Sequence, residues 1–224
     1  MAVTTRIQPL RDGDRLTRDE FLRRWDAMPD LKHAELIDGV VQMASPVLKP
    51  HALYHTAFAA WIWNYAVITP GCEGGLEGTW LMSGRDVPQP DAALRILPEY
   101  GGQSRLKHDY PVGAPELIVE VSESSFVKDS GSKLRLYERA GVREYIIVRP
   151  GKRQAIWREL TEGEYREVAP DADGVLRSRV FPGLWLDTAA LANGDWEVFG
   201  ATCRRGHESA GHAAFVQRLA AAKR

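Results

Sequence analysis

Glu120 is the residue that most restricts how this chain can fold. It stands inside an otherwise apolar run, Leu117-Ile118-Val119-Glu120-Val121, which reads as a buried strand. An ionised carboxylate in such a run is costly to bury unless something cationic meets it. Asp91 is a second acid in similar surroundings. It follows the turn-like Val87-Pro88-Gln89-Pro90 and opens Ala92-Ala93-Leu94-Arg95-Ile96-Leu97, another strand. On adjacent strands the two carboxylates would lie side by side, able to grip one divalent ion. A structural ion pair explains the same residues equally well. Thirteen residues past Glu120, Lys133 falls in the first turns of a helix expected over 130–140 and ended by Gly141.

The remaining elements alternate in type. Thr17 and Glu20 have capping-box spacing, and Phe21, Leu22 and Trp25 recur at helical intervals until Pro29. His33 to Met43 reads as two strands joined at Asp38-Gly39, a strong hairpin signal. Ser45-Pro46 and Lys49-Pro50 mark a loop, followed by a helix over about His51 to Val67. Short strands are expected around Glu73 to Met82 and Ala92 to Ile96, then an irregular loop from Pro98 to Pro115. After the helix come a strand at Glu144 to Val148 and a hairpin of Gln154 to Glu159 with Tyr165 to Val168, turning near Gly163. Ala189 to Trp196 and Glu208 to Ala222 read as helices. This order points to an α/β (α+β mixed) protein with a mixed central sheet. We divide the chain into a leader (1–15), a main domain (16–188) and a C-terminal helical extension (189–224).

With 224 residues, 44% apolar and 26% charged, the chain has the balance of an ordinary globular protein with one core. Cys72 and Cys203 suggest no disulfide framework, which favours a reducing, cytoplasmic setting. No apolar run is long enough for a membrane span, and no secretory signal is visible. The net charge of −1 argues against a nucleic-acid binder taken whole. Its distribution argues otherwise. Between Lys128 and Arg153, eight basic residues face Asp129, Glu138 and Glu144, a net of +5 that leaves −6 elsewhere. Such a region beside a carboxylate pair would guide a phosphate backbone, although a solvated helix face explains the charge too.

Several residues invite competing readings. Lys128 competes with Lys133 for a role beside the acids. Glu116 shares a strand face with Glu120 and is expected at the sheet margin. His51 and His55 share a helix face, but Ala52 stands where a zinc-protease helix requires glutamate, so that reading fails. Cys203, His207 and His212 offer three zinc-type donors with no fourth nearby. Trp61 and Trp63 point to opposite sides of their helix and read as packing residues.

The string Pro115-Glu116-Leu117-Ile118-Val119-Glu120-Val121-Ser122, followed by Lys133-Leu134-x-Leu136-Tyr137-x-x-Ala140-Gly141-Val142-x-Glu144-Tyr145, resembles the bacterial Uma-two family of restriction-endonuclease-like proteins. So do Leu16-Thr17, Glu35-Leu36-Ile37-Asp38-Gly39, Ser45-Pro46 then His51, Pro90-Asp91, and Phe181-Pro182-Gly183-Leu184. The likeness runs from about Leu16 to Leu186, with the motifs in the family's order. It implies the PD-(D/E)XK nuclease fold, a central mixed sheet flanked by helices. It also implies a site in which Asp91, Glu120 and the Val121 carbonyl bind Mg2+ (or Mn2+). Serine occupies position 122, where the superfamily's lysine usually follows the second acid. The resemblance assigns that lysine to Lys133 and an additional acidic position to Glu35. The expected activity is hydrolysis of DNA by a homodimer. The rival expectation is a non-catalytic nucleic-acid-binding or interaction protein that keeps the fold.

Overall fold

The computed structural model describes residues 7–43, 49–123 and 125–223, with side chains described for all of these except residues 49–51. Ser45-Pro46 and the His51 side chain therefore lie outside the described residues. The chain runs α1 (Arg18–Asp26), β1 (Ala34–Ile37), β2 (Val40–Met43), α2 (Lys49–Ile68), β3 (Cys72–Leu76), β4 (Ala92–Ile96), β5 (Arg105–Lys107), β6 (Tyr110–Val112) and β7 (Leu117–Val121). It continues with α3 (Phe126–Asp129), α4 (Ser132–Ala140), β8 (Glu144–Arg149), β9 (Gln154–Thr161), β10 (Glu164–Glu167), β11 (Val175–Arg177), β12 (Trp185–Asp187), α5 (Thr188–Asn193), α6 (Trp196–His207) and α7 (Ala210–Ala222).

Six strands form the central sheet in the order β10-β9-β8-β7-β4-β3. Only β7 and β8 pair in parallel, which makes the sheet mixed as expected. A parallel pair needs a crossover rather than a tight turn. Here α3 and α4 supply it, and so hang over one face of β7. Side chains alternate along the strands to fill two cores. Leu117, Val119, Val121, Ile146 and Val148 pack with Phe58, Trp61 and Tyr65 of α2. Ile118, Tyr145 and Ile147 pack on the opposite face with Leu136 and Tyr137 of α4. Each such side chain, fully buried, contributes roughly 1.5–3 kcal/mol. Leu191, Phe199, Phe215 and Leu219 from the three last helices join the α2-side core.

The β1–β2 hairpin turns at Asp38 (φ 52°) and Gly39 (φ 75°), both left-handed, as a two-residue hairpin requires. It stands apart from the main sheet and docks through the paired backbones of Leu36 and Val87. The chain differs from expectation in several places. The Glu73 to Met82 strand stops at Leu76, since Glu77 takes a left-handed φ of 48° and leaves the sheet. The supposed loop from Pro98 to Pro115 contains the β5–β6 hairpin, turned by left-handed His108 and Asp109. The helix expected over 130–140 is present as α4 from Ser132, and a short unexpected helix, α3, precedes it across Gly131, where a Cβ would lie 2.6 Å from the Val127 carbonyl. Thr17 does cap α1, accepting from the Glu20 N–H at 3.4 Å. The Glu20 carboxylate, however, turns to Arg23 and Arg24 instead of completing the box. Near the C-terminus, Gly194 ends α5 before Trp196, and Asp195 caps a further helix, α6, between the two that the sequence suggests. No helix among the described residues is long and apolar enough to cross a membrane.

Candidate active site

The antiparallel register of β4 and β7 sets Ala92 opposite Val119. One step further, Asp91 faces Glu120 across the pair. Asp91 Oδ2 accepts the Val121 N–H at 2.6 Å, so this carboxylate fastens the end of the strand that carries Glu120. From α2, His55 Nε2 lies 3.2 Å from the Asp91 carbonyl oxygen and 4.0 Å from Oδ1.

Glu35 arrives on β1. Its Oε1 accepts the Gln89 N–H at 2.7 Å, while Gln89 Oε1 accepts the Ala34 N–H at 3.2 Å. Proline lacks an N–H, so Gln89 is the only backbone donor between Pro88 and Pro90, and Glu35 takes it. The hairpin and the turn before Asp91 are thereby tied together.

Lys133 enters from above the sheet. Its Nζ lies 2.9 Å from Glu35 Oε1, 3.0 Å from Glu120 Oε1 and 3.9 Å from Asp129 Oδ1. One turn further along α4, the Tyr137 hydroxyl donates to the same Glu120 Oε1 at 2.7 Å. Glu120, Asp129, Lys133 and Tyr137 are all buried. Tyr145 secures the turn beneath them by donating to the Asp129 carbonyl at 3.0 Å. Lys128, by contrast, is exposed.

The protonation states follow from this packing. Burial pushes the Glu120 carboxyl well above the usual carboxylate range. Lys133 opposes that shift, and Asp129, Asp91 and Glu35 add to it. Burial pulls the Lys133 amine down, yet Glu120, Glu35 and Asp129 outweigh it and hold the ammonium form well past its ordinary range. The ammonium form of Lys133 is thus favoured, which suits it to balancing charge.

Three carboxylates, Glu35, Glu120 and Asp129, thus surround one buried ammonium and outnumber it, with Asp91 joined to them through the Val121 N–H. One of their oxygens, Asp129 Oδ2, is buried and accepts no hydrogen bond. An all-oxygen donor set with surplus charge suits a hard divalent cation. Among the described residues no three His, Cys, Asp or Glu side chains form a preformed cage. Magnesium does not need one, because one or two carboxylates with a substrate phosphate hold it.

A family model described as "Uma2: Putative restriction endonuclease" matches residues 18–189. The chain belongs to this family. A solved structure described as "a putative nuclease belonging to DUF820", from Anabaena variabilis, superposes with a TM-score of 0.59 at 15% identity. It covers 81% of this chain and 98% of its own, so the Uma2 chain shares that protein's fold. No curated protein matches.

Within the Uma2 region, the structure brings Glu35, Glu120 and Lys133 into direct contact and joins Asp91 to them through Val121. Sequence reasoning did not single out Asp129, Tyr137 or the approach of His55 to Asp91. The signal for the first two was available, because residues 129, 133 and 137 recur at one-turn spacing. Glu116 is not at an open margin. It is fully buried and accepts the Ile96 and Gln103 N–H groups, which is a structural role. Cys203, His207 and His212 do not converge either. Cys203 Sγ donates to the Trp185 carbonyl, and His212 contacts the Thr69 hydroxyl and the His207 carbonyl. Trp61 is buried and donates to the Trp185 carbonyl, whereas Trp63 is exposed.

Proposed function

We propose that this protein is an endonuclease that hydrolyses DNA phosphodiester bonds with the help of Mg2+ or Mn2+. The observation that carries the reading is the gathering of Glu35, Glu120 and Asp129 around Lys133, with Asp91 bonded to the Val121 N–H next to Glu120, at one end of the parallel β7–β8 pair. Family membership supports it. Asp91 and Glu120, with the Val121 carbonyl, would hold the ion. A divalent cation there supplies Lewis-acid polarisation of the phosphoryl group and lowers the cost of forming a nucleophile from water.

The protein's own groups do the rest. Lys133 stays charged and offsets negative charge that builds on the phosphoryl oxygens in the transition state. Tyr137 and Lys133 both donate to Glu120 Oε1, which orients the carboxylate and would leave its other oxygen available to a cation. Glu35 holds Lys133 in place through its 2.9 Å contact and anchors the turn leading to Asp91. Two strands are cut most simply by two copies, so the reading includes a homodimer.

The test is cleavage of supercoiled plasmid DNA by wild type, Asp91→Ala and Glu120→Ala in Mg2+, Mn2+ or EDTA. We expect metal-dependent nicking and linearisation by wild type alone. Equal cutting by all three proteins would mean a contaminant. Absence of cutting with every metal, alongside retained DNA binding, would favour a non-catalytic nucleic-acid-binding protein. Light scattering of the purified chain checks the dimer.

A further inference from the structure

Arg149 ends β8 on the same sheet face as Glu120. Tyr145 and Ile147 point to that side, and in the parallel register Ile147 stands opposite Glu120. Two residues along a strand cover about 7 Å, so Arg149 lies just beyond the carboxylate, toward the open ends of β7 and β8. Its guanidinium carbon sits 3.9 Å from the centre of the Phe126 ring, on the helix that carries Asp129. Stacking of this kind holds the planar fork in one orientation without using its hydrogen-bond donors.

Those donors have not been taken by an acid. Among the described residues no carboxylate comes within ion-pair distance of Arg149. Glu123, just past the end of β7, gives its carboxylate to the Gly151 N–H at 2.9 Å, and Glu144, on β8 itself, is taken up by Ser178 and Arg179. Two other cations of this stretch are taken up by acids. Lys133 is buried among the carboxylates, and Arg139 is paired with Asp38 at 2.6 Å. Lys128, Lys152 and Arg153 are exposed on the segments flanking Arg149. A half-buried, oriented arginine with free donors beside an acidic site calls for an anion.

We infer that Arg149, braced on Phe126, binds a backbone phosphate of the nucleic acid next to the one at the carboxylates. This rests on the nuclease reading for the identity of the polyanion. Without such a contact, a phosphate approaching this group of carboxylates meets repulsion that the buried Lys133 only partly cancels.

Fluorescence anisotropy of a labelled DNA duplex in EDTA, where cleavage is silent, measures the contact directly across a range of salt concentrations. Removing one phosphate contact lowers the slope of log affinity against log salt by about one and weakens binding alike for every sequence. We expect this of Arg149→Ala, together with a loss of affinity of about tenfold at low salt. Arg149→Lys should restore the slope but only part of the affinity, because the fork is gone. Phe126→Leu should weaken wild type by less, and add nothing in the Arg149→Ala background. Arg166→Ala, on the far strand β10 and paired with Glu162, is the control and should bind as wild type does. Unchanged slope and affinity in Arg149→Ala, with a normal melting curve, would overturn the inference and leave the nuclease reading standing. Failure of wild type to bind DNA at all would overturn both. Binding that depends on Arg149 without any metal-dependent cleavage would sink only the nuclease reading.

Discussion

Tyr137 and Lys133, one helical turn apart on α4, reach the same oxygen of Glu120, at 2.7 and 3.0 Å. The two donors differ in what their loss exposes. Among the described residues, Lys133 carries the one buried positive charge in contact with Glu35, Glu120 and Asp129. Removing one member of a buried ion pair costs about 3–5 kcal/mol, because the partner's charge is left uncompensated. We therefore expect Lys133→Ala to lower unfolding free energy by that order, read from urea denaturation at pH 7. Lys133→Ala with Glu120→Gln should recover a substantial part of the loss. Equal destabilisation in the single and double variants would mean that packing, not charge, governs this site.

Tyr137→Phe removes one hydrogen bond and leaves the ring in place. Glu120 keeps Lys133, so the expected loss is smaller, about 1–2 kcal/mol for a bond to a charged acceptor. The sharper effect falls on the ion. Loss of a group that orients a ligand costs about 10–100-fold in metal affinity. Calorimetric titration of Mn2+ should show that weakening, and cleavage should return when metal is raised. If Mn2+ binds the variant as tightly as wild type, Tyr137 does not orient the carboxylate.

The parts of this site that could be read in the sequence are those where one residue breaks a pattern. Glu120 stood out because a charge interrupts a strand of apolar side chains, and Asp91 because it follows two prolines at a strand's start. Asp129 and Tyr137 broke no pattern. Asp129 looked like one more charge in a basic stretch, and Gly131 hid the fact that 129, 133 and 137 share one side of the crossover. The hairpin at Asp38-Gly39 was legible because its turn residues are those that tolerate left-handed backbone. The β5–β6 hairpin was not, since His108 and Asp109 make a similar turn without glycine and its strands have three residues each. Three residues are too few to display alternation. The β11–β12 pair escaped for the same reason.

Away from the acids, Glu144 offers a prediction about pH. Its buried carboxyl accepts from the Ser178 hydroxyl at 2.6 Å and from the Arg179 N–H at 2.9 Å. Burial raises it to about 7, against the pull of these donors. A carboxyl raised in the folded state favours the protonated form there, so the native protein holds more protons than the unfolded chain. Its contribution is present in full below pH 4.5 and fades as pH rises through about 7. The difference between these limits is about 3 kcal/mol on this one group. Glu144→Gln imitates the protonated acid and should flatten that part of the stability profile between about pH 5 and 8. Urea midpoints across this range check it. An equally steep profile in the variant would assign the pH dependence to other groups.

The C-terminal helices test how closely they are fitted to the rest of the chain. Gly206 in α6 lies against the backbone at Gly183. A Cβ on Gly206 would collide with the Gly183 carbonyl oxygen, and one on Gly183 would come within 2.7 Å of the Gly206 carbonyl. Alanine ordinarily favours a helix over glycine by about 1 kcal/mol. At Gly206 that gain is opposed by backbone that must move, and overpacking of this kind costs about 1–3 kcal/mol, occasionally more. Gly200 on the same helix has only the tip of the Arg204 side chain nearby, at 3.5 Å. Gly206→Ala should therefore lower the melting temperature, whereas Gly200→Ala should raise it slightly. Opposite signs from the same substitution in one helix isolate the contact from helix propensity. If both variants were stabilised, α6 would not be pressed against the turn that carries Gly183.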